Sequence, residues 1–170
     1  MSIDIEQNTS LIYCLQQYIK KEQLRNKDKF YCDKCNNLQE ADKQVKIEKL
    51  PELLVIQLKR FQMEENMRMK KLDSCVNIPM DIDVGFLLKE QSQKNIKTHY
   101  TLKSFVVHSG TRGDYGHYFT LARFDEENWL VFNDEKFSFI KYNVEEFLGI
   151  LLKMITFVRQ VRPIYYFLSR

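Results

Sequence analysis

Apolar segments with the composition of β-strands constrain this chain more than any other feature. They cover residues 53–61, 100–108, 118–124 and 129–132, and the short polar stretch 125–128 between the last two is typical of a hairpin turn. A final strand is predicted at 164–168, after Pro163. Because one or two helices accompany these strands, the sequence predicts an α+β fold.

An amphipathic helix is predicted ahead of the strands. Asn8, Thr9 and Ser10 offer N-caps. Apolar residues follow at helical spacing: Leu11, Cys14, Leu15, Tyr18 and Ile19. We expect this helix to extend to about Leu24, with Cys14 as a small core residue rather than a reactive thiol. A second helix is predicted after Asn143, and residues 62–71 are expected to form a loop.

The composition excludes several classes of protein. A chain of 170 residues with 44% hydrophobic and 29% charged residues suits a soluble globular protein. The net charge of +3 is small and no basic block is long, so no nucleic-acid partner is expected. No apolar run approaches the ~20 residues of a membrane helix, and the N-terminus lacks a secretion signal. The single C-x-x-C then indicates a reducing compartment, the cytoplasm or the nucleus.

The strongest chemical signal comes from His117 and Asn133. A hairpin would bring the imidazole and the amide together, although they are 16 residues apart, as two members of a Cys-His-Asn catalytic site. We expect Asn133 to accept a hydrogen bond from Nδ1–H of the ring, which leaves Nε2 as the base. A histidine on an apolar strand is usually a core residue. The glycines Gly110, Gly113 and Gly116 distinguish this one, because they indicate a mobile or sharply turned loop beside it.

Cys32 and Cys35 form a C-x-x-C knuckle in a polar, turn-rich stretch. Two thiolates at this spacing can bind one metal ion, but structural zinc needs four ligands. Cys14, Cys75 and His99 are not placed to complete such a set. We therefore expect half of a structural zinc site, with a vestigial knuckle or a redox pair as the alternatives.

Five motifs occur in order along the chain. They are Tyr31-Cys32-x-x-Cys35, Leu50-Pro51-x-Leu53-x-x-x-Gln57-Leu58-Lys59-Arg60-Phe61, Val107-His108-Ser109-Gly110, Gly116-His117-Tyr118 and Trp129-x-x-Phe132-Asn133-Asp134. Together they resemble the C-terminal half of the catalytic domain of the ubiquitin-specific proteases, papain-like cysteine deubiquitinases. The resemblance covers practically the whole chain, and residues 145–149 and 166–170 are most similar to the small WD-repeat-activated members.

The resemblance implies one partial catalytic domain over residues 1–170. Residues 8–50 would form a helix and part of the fingers, and 51–170 the β-rich palm of a papain-like fold without its nucleophile-bearing lobe. His117 would be the general base, Asn133 its orienting partner and Asp134 an acidic neighbour. Cys32 and Cys35 would be half of the zinc site in the fingers.

The implied activity is hydrolysis of the bond after the C-terminal glycine of ubiquitin. Ubiquitin, ubiquitinated proteins and a WD-repeat activator would be the partners. The family's nucleophile lies in an N-terminal cysteine box that neither Cys14 nor Cys75 matches. We therefore expect this chain to be inactive alone. Two alternatives stay open: a non-catalytic ubiquitin-binding module, and a zinc-ribbon interaction domain whose His117 and Asn133 are only structural.

Overall fold

A computed structural model describes residues 1–6, 9–89, 96–110, 115–141 and 161–169 of the chain, with the last range described by its backbone. These residues form one α-helix, α1 (Leu11–Tyr18), short 3-10 turns, and strands. In chain order the strands are β1 (Ser2–Ile3), β2 (Thr9–Ser10), β3 (Glu22–Leu24), β4 (Phe30–Cys32), β5 (Asn37–Gln39), β6 (Ala41–Lys43), β7 (Leu53–Leu58), β8 (Phe61–Met63), β9 (Met69–Lys71), β10 (Val76–Asn77), β11 (Asp81–Asp83), β12 (His99–Ser109), β13 (His117–Arg123), β14 (Asn128–Asn133), β15 (Lys136–Lys141) and β16 (Val161–Ser169).

Eight of the described strands form one sheet in the order β1-β7-β16-β12-β13-β14-β15, with β11 paired to the start of β12. Only the β1–β7 pair among them is parallel. The strands predicted at 100–108, 118–124, 129–132 and 164–168 are confirmed as β12, β13, β14 and β16. Their apolar residues alternate where one face of the sheet is buried and run continuously where both faces are covered, as at Val107 and His108. Further strands, such as β15, were not predicted.

The core lies between the sheet and α1. Ser10 caps the helix by accepting from the backbone N–H of Tyr13, and Leu11, Cys14 and Leu15 are buried. Cys14 is thus a core residue, as predicted. The helix ends at Tyr18 rather than near Leu24, because the polar run after Ile19 has nothing to bury. Instead, Gln44 donates to the carbonyl of Ile19 at 2.9 Å and closes the helix end.

The longest strand, β12, keeps one face in the core, although its buried apolar residues change from even to odd numbers part-way. Tyr100 and Leu102 are buried, and after a register irregularity at 102–104 the buried apolar residues are Phe105 and Val107. An extra residue at such a bulge shifts the alternation of side chains by one. Because neighbouring residues of a strand point to opposite faces, His108 lies on the opposite face from Val107.

Residues 62–71 form a hairpin rather than the predicted loop. Strands β8 and β9 pair through Phe61 opposite Lys71, and Met67 at the turn has a φ of 61°. A left-handed turn without glycine gives no sequence signal. Two further antiparallel pairs, β3–β6 and β4–β5, form separate two-stranded sheets. The helix predicted after Asn143 and residues 111–114 of the glycine-rich stretch lie outside the described residues.

Among the described residues, no helix has the length and apolar character needed to cross a membrane.

Candidate active site

His117 and Asn133 lie at neighbouring ends of two paired strands. In the β13–β14 pair, Leu121 opposes Val131. Because alternate residues of a strand share a face, His117 and Asn133 lie on the same face of this pair as Leu121 and Val131. That face also carries Trp129, which is buried with Leu121. His117 and Asn133 therefore lie on the core-facing side of the two strands, at the open end of the hairpin. This is the arrangement that the sequence predicted.

The Nε2 atom of His117 is hydrogen-bonded to the side-chain oxygen of Asn133. Since a carbonyl oxygen only accepts, Nε2 carries the proton and donates it, and Nδ1 keeps the lone pair. The predicted pairing of the two residues is thus confirmed. The prediction that Nδ1 faces the amide is wrong, because Nε2 occupies that position. Strand register fixes which residues meet, but the ring's rotamer decides which nitrogen does.

Asp134 is a second, weaker neighbour of the same nitrogen. Its Oδ2 atom lies 3.8 Å from Nε2 of His117, beyond hydrogen-bond distance, and its side chain is 75% exposed. The residue has a φ of 54° in the turn between β14 and β15, a conformation that aspartate tolerates better than most residues. The carboxylate can add electrostatic support without replacing the amide as the direct partner.

The imidazole is accessible from outside. The side chain of His117 is 46% exposed, although its strand is continuous with the core. A base in this position can meet a group supplied by another segment or another chain.

No thiol of the described chain serves as that group. Cys14 is buried, and burial raises the pKa of its thiol. Among the described residues, no cysteine makes a hydrogen bond with His117. A raised pKa disfavours the thiolate, so Cys14 is chemically unsuited as well.

Cys32 and Cys35 occupy the turn of the β4–β5 hairpin. The backbone N–H of Cys35 donates to the carbonyl of Cys32 at 3.1 Å. The backbone N–H groups of Cys35 and Lys34, and then the Cys35 thiol, lower the pKa of the Cys32 thiol. This donor set fits half of a tetrahedral zinc site. Within the described ranges, no third histidine, cysteine, aspartate or glutamate joins the pair.

The opposite face of β12 and β13 carries a histidine that sequence reasoning did not assign. His108 opposes Tyr118 and is buried. Its ring centroid lies 4.7 Å from that of Tyr118 and 5.4 Å edge-on from that of Phe61. Burial first, and then the charge of Lys71, lowers the pKa of the His108 imidazole. The sequence signal was its place in an apolar strand.

Two buried cations lie behind the β8–β9 hairpin. The guanidinium of Arg60 donates to the carbonyls of Leu72 and Ser74 at 3.2 and 2.8 Å. The ammonium of Lys71 donates to backbone carbonyls near the end of β12. Sequence alone does not predict buried lysine, since this residue is normally exposed.

Comparison with known proteins identifies the family of the chain. The family model described as ubiquitin carboxyl-terminal hydrolase matches residues 6–162. The chain belongs to this family. The family predicted from the five motifs is therefore confirmed, and with it the α+β, papain-like fold.

Individual relatives agree with the family assignment. The chain is 41% identical over 151 residues to ubiquitin carboxyl-terminal hydrolase 4 of Arabidopsis thaliana, covering 88% of this chain and 40% of the relative. It is 36% identical over 151 residues, again 88% of this chain, to the probable ubiquitin carboxyl-terminal hydrolase 9 of Schizosaccharomyces pombe, of which it covers 26%. The chain thus spans less than half of either ubiquitin carboxyl-terminal hydrolase.

Solved structures show the same partial coverage. A chain of the yeast SAGA DUB module matches with a TM-score of 0.75 and 31% identity, over 99% of this chain and 34% of that one. A chain of the SAGA Ubp8/Sgf11/Sus1/Sgf73 DUB module bound to ubiquitin aldehyde matches with a TM-score of 0.74 and 31% identity, over 99% and 35%. This ubiquitin carboxyl-terminal hydrolase chain therefore matches about a third of the length of each of these two solved chains.

Proposed function

We propose that this chain supplies the general base and its orienting amide to a cysteine-type deubiquitinase, with the nucleophile contributed from outside the chain. His117 is the base, Asn133 holds its ring and Asp134 adds charge nearby. The observation that carries the proposal is the Nε2–Asn133 hydrogen bond at the open end of the β13–β14 pair. It leaves Nδ1 with a lone pair on an exposed ring.

The chemistry follows from that arrangement. Nδ1 of His117 takes the proton of an incoming cysteine thiol, and the thiolate attacks the carbonyl carbon of ubiquitin's C-terminal glycine. His117 then returns the proton to the leaving amine as the C–N bond breaks. Water, deprotonated by the same nitrogen, hydrolyses the thioester and frees ubiquitin and the thiol. Asn133 keeps Nε2–H engaged throughout, so the ring stays oriented.

Ubiquitin as substrate is supported by the family and by the neighbour bound to ubiquitin aldehyde. We propose ubiquitinated proteins as the wider substrate class. A WD-repeat activator is proposed on the resemblance of the chain's end alone.

We further propose that Cys32 and Cys35 hold one side of a structural zinc ion. The lowered pKa of Cys32 supports this role, because a metal ligand must be the thiolate. The other ligands would come from outside the described residues. A reduced thiol pair of this kind suits a cytoplasmic or nuclear protein.

A chimaera tests the proposed function. Residues of this chain replace the aligned part of the Arabidopsis relative, which keeps its own preceding segment. The chimaera is treated with ubiquitin carrying a cysteine-reactive group at its C-terminus. We expect a covalent adduct on the chimaera, formed at least about 100-fold more slowly after His117→Ala. The isolated chain should form none.

A non-catalytic ubiquitin-binding module is the second candidate, favoured by the absence of a suitable thiol near His117 in the described chain. It predicts that both the isolated chain and the chimaera bind ubiquitin while neither forms an adduct. A folded chimaera that binds ubiquitin without reacting would therefore replace the first proposal with this one.

A further inference from the structure

The ammonium of Lys71 ties the β8–β9 hairpin to the end of β12. Lys71 is only 6% exposed. Its Nζ atom donates to the carbonyl of His108 at 3.0 Å and to that of Gly110 at 2.7 Å. Hydrogen bonds from a charged donor are stronger than neutral ones, and a buried ammonium cannot exchange them for water. The backbone around Gly110 is therefore held from a strand almost 40 residues earlier.

His108 holds the other end of the same glycine-rich segment. Its imidazole packs against the backbone that leads from Tyr115 to Gly116, and Nδ1 of the ring has no partner among the described residues. Gly116 packs against this ring so closely that a Cβ there would lie 2.1 Å from Nε2. Only glycine fits this contact.

His117 lies next to these contacts in both the sequence and the sheet. It opposes Ser109 in the β12–β13 register and comes two residues after Tyr115. A shift of the backbone at Gly110 or Tyr115 would move the first residue of β13. It would then move the ring of His117 relative to Asn133.

We propose that Lys71 and His108 are positioning residues that fix the backbone at Gly110 and Tyr115, and thereby hold His117 beside Asn133. The catalytic meaning of this role rests on the proposed function. The geometric role does not, because no nucleophile takes part in it. Failure of this inference would leave hydrolysis through His117 and Asn133 untouched.

The test compares Lys71→Met with Lys70→Met in the chain itself by NMR. Lys70 is the neighbouring lysine on β9. Its side chain is exposed, and its Nζ atom lies 3.7 Å from Oε1 of Glu64. For Lys71→Met we expect amide hydrogen exchange of His117 and Tyr118 to accelerate at least about tenfold while that of Leu130 on β14 stays constant, since opening is local. The Nε2–H signal of His117 should also disappear. Lys70→Met should change neither, and Lys71→Arg should stay within about twofold of wild type because it keeps a charged donor.

Two results would overturn the proposal. One is unchanged exchange at His117 and Tyr118 in a folded Lys71→Met protein. The other is equal acceleration on β13 and β14, which indicates general destabilisation. If Lys71→Met does not fold, the wild-type chain decides: Lys71 should give a slowly exchanging ammonium signal with NOE contacts to the backbone of Gly110. An ammonium signal in fast exchange with water would contradict the role.

Discussion

Nε2 of His117 meets Oδ1 of Asn133 across the open end of a β-hairpin, and Nδ1 of the ring has no partner among the described residues. The amide therefore selects one tautomer and one ring orientation. An imidazole held in this way is prepared to accept a proton at Nδ1. Because the amide is neutral, it adds no buried charge to the site.

The role of Asn133 predicts a graded response in the chimaera. Asn133→Ala should lower kcat for ubiquitin with a fluorogenic C-terminal amide by about tenfold or more, because the ring loses its acceptor. Asn133→Asp keeps an acceptor and should stay within about tenfold of the parent. Asp134→Asn, whose side chain lies 3.8 Å from Nε2, should have the smallest effect. A larger loss of kcat for Asp134→Asn than for Asn133→Ala would show that Asp134, and not Asn133, is the main partner of the ring.

Gly116 should tolerate substitution less well than Gly85, because a side chain at Gly116 would collide with neighbouring atoms. A Cβ there would lie 2.1 Å from Nε2 of His108 and 2.6 Å from the carbonyl oxygen of Ser109, at a φ of +154°. We expect Gly116→Ala to lower the free energy of unfolding by about 2–4 kcal/mol, measured by urea denaturation. The matched control is Gly85→Ala, whose nearest contact would be 3.2 Å and which should cost less than about 1 kcal/mol. Equal losses would disprove the close contact.

The burial of His108 predicts a pH dependence of stability. Its pKa is lowered in the folded chain, so the unfolded chain binds a proton more readily as the pH falls below the ordinary value of 6.5. The free energy of unfolding should therefore decrease from about pH 6.5 downward until the folded pKa is passed. Urea midpoints between pH 7.5 and 5.5 measure this, and the slope should be reduced in His108→Gln. A slope that His108→Gln leaves intact would assign the effect to other groups.

The lowered pKa of Cys32 predicts its reactivity. The alkylation rate of this thiol should rise with a midpoint below pH 9.0, because backbone N–H groups stabilise the thiolate. Cys14 is buried, with a raised pKa, and should be modified last. Mass spectrometry of iodoacetamide-treated, metal-free chain resolves the two sites. Modification of Cys14 before Cys32 would contradict both assignments.

Sequence predicted the strands of the sheet and the contact between His117 and Asn133, because both depend on local pattern. The alternation in β13 and β14 fixes their shared face, and their short turn fixes the pairing of His117 with Asn133. Sequence did not predict which nitrogen of His117 is engaged, because a rotamer depends on packing. The roles of His117, Asn133, Asp134, Cys32 and Cys35 stay proposals.

The contacts behind the site could not be predicted, because they join residues distant in the chain. Lys71 reaches the carbonyl of Gly110 only because β8 and β9 form a hairpin whose turn at Met67 carries no glycine or proline. Burial of a lysine runs against its general preference for the surface. The helix end at Tyr18 depends on Gln44, another long-range contact.

The most direct test of the central claim is the rate at which the chimaera hydrolyses ubiquitin with a fluorogenic C-terminal amide, compared between His117→Ala and His99→Ala. His99 is a matched control, because it is exposed and lies beside Asp83 at the other end of β12. We predict that kcat falls at least about 100-fold for His117→Ala and stays within about twofold for His99→Ala. A His117→Ala chimaera as active as the His99→Ala chimaera would contradict the assignment of His117 as the general base.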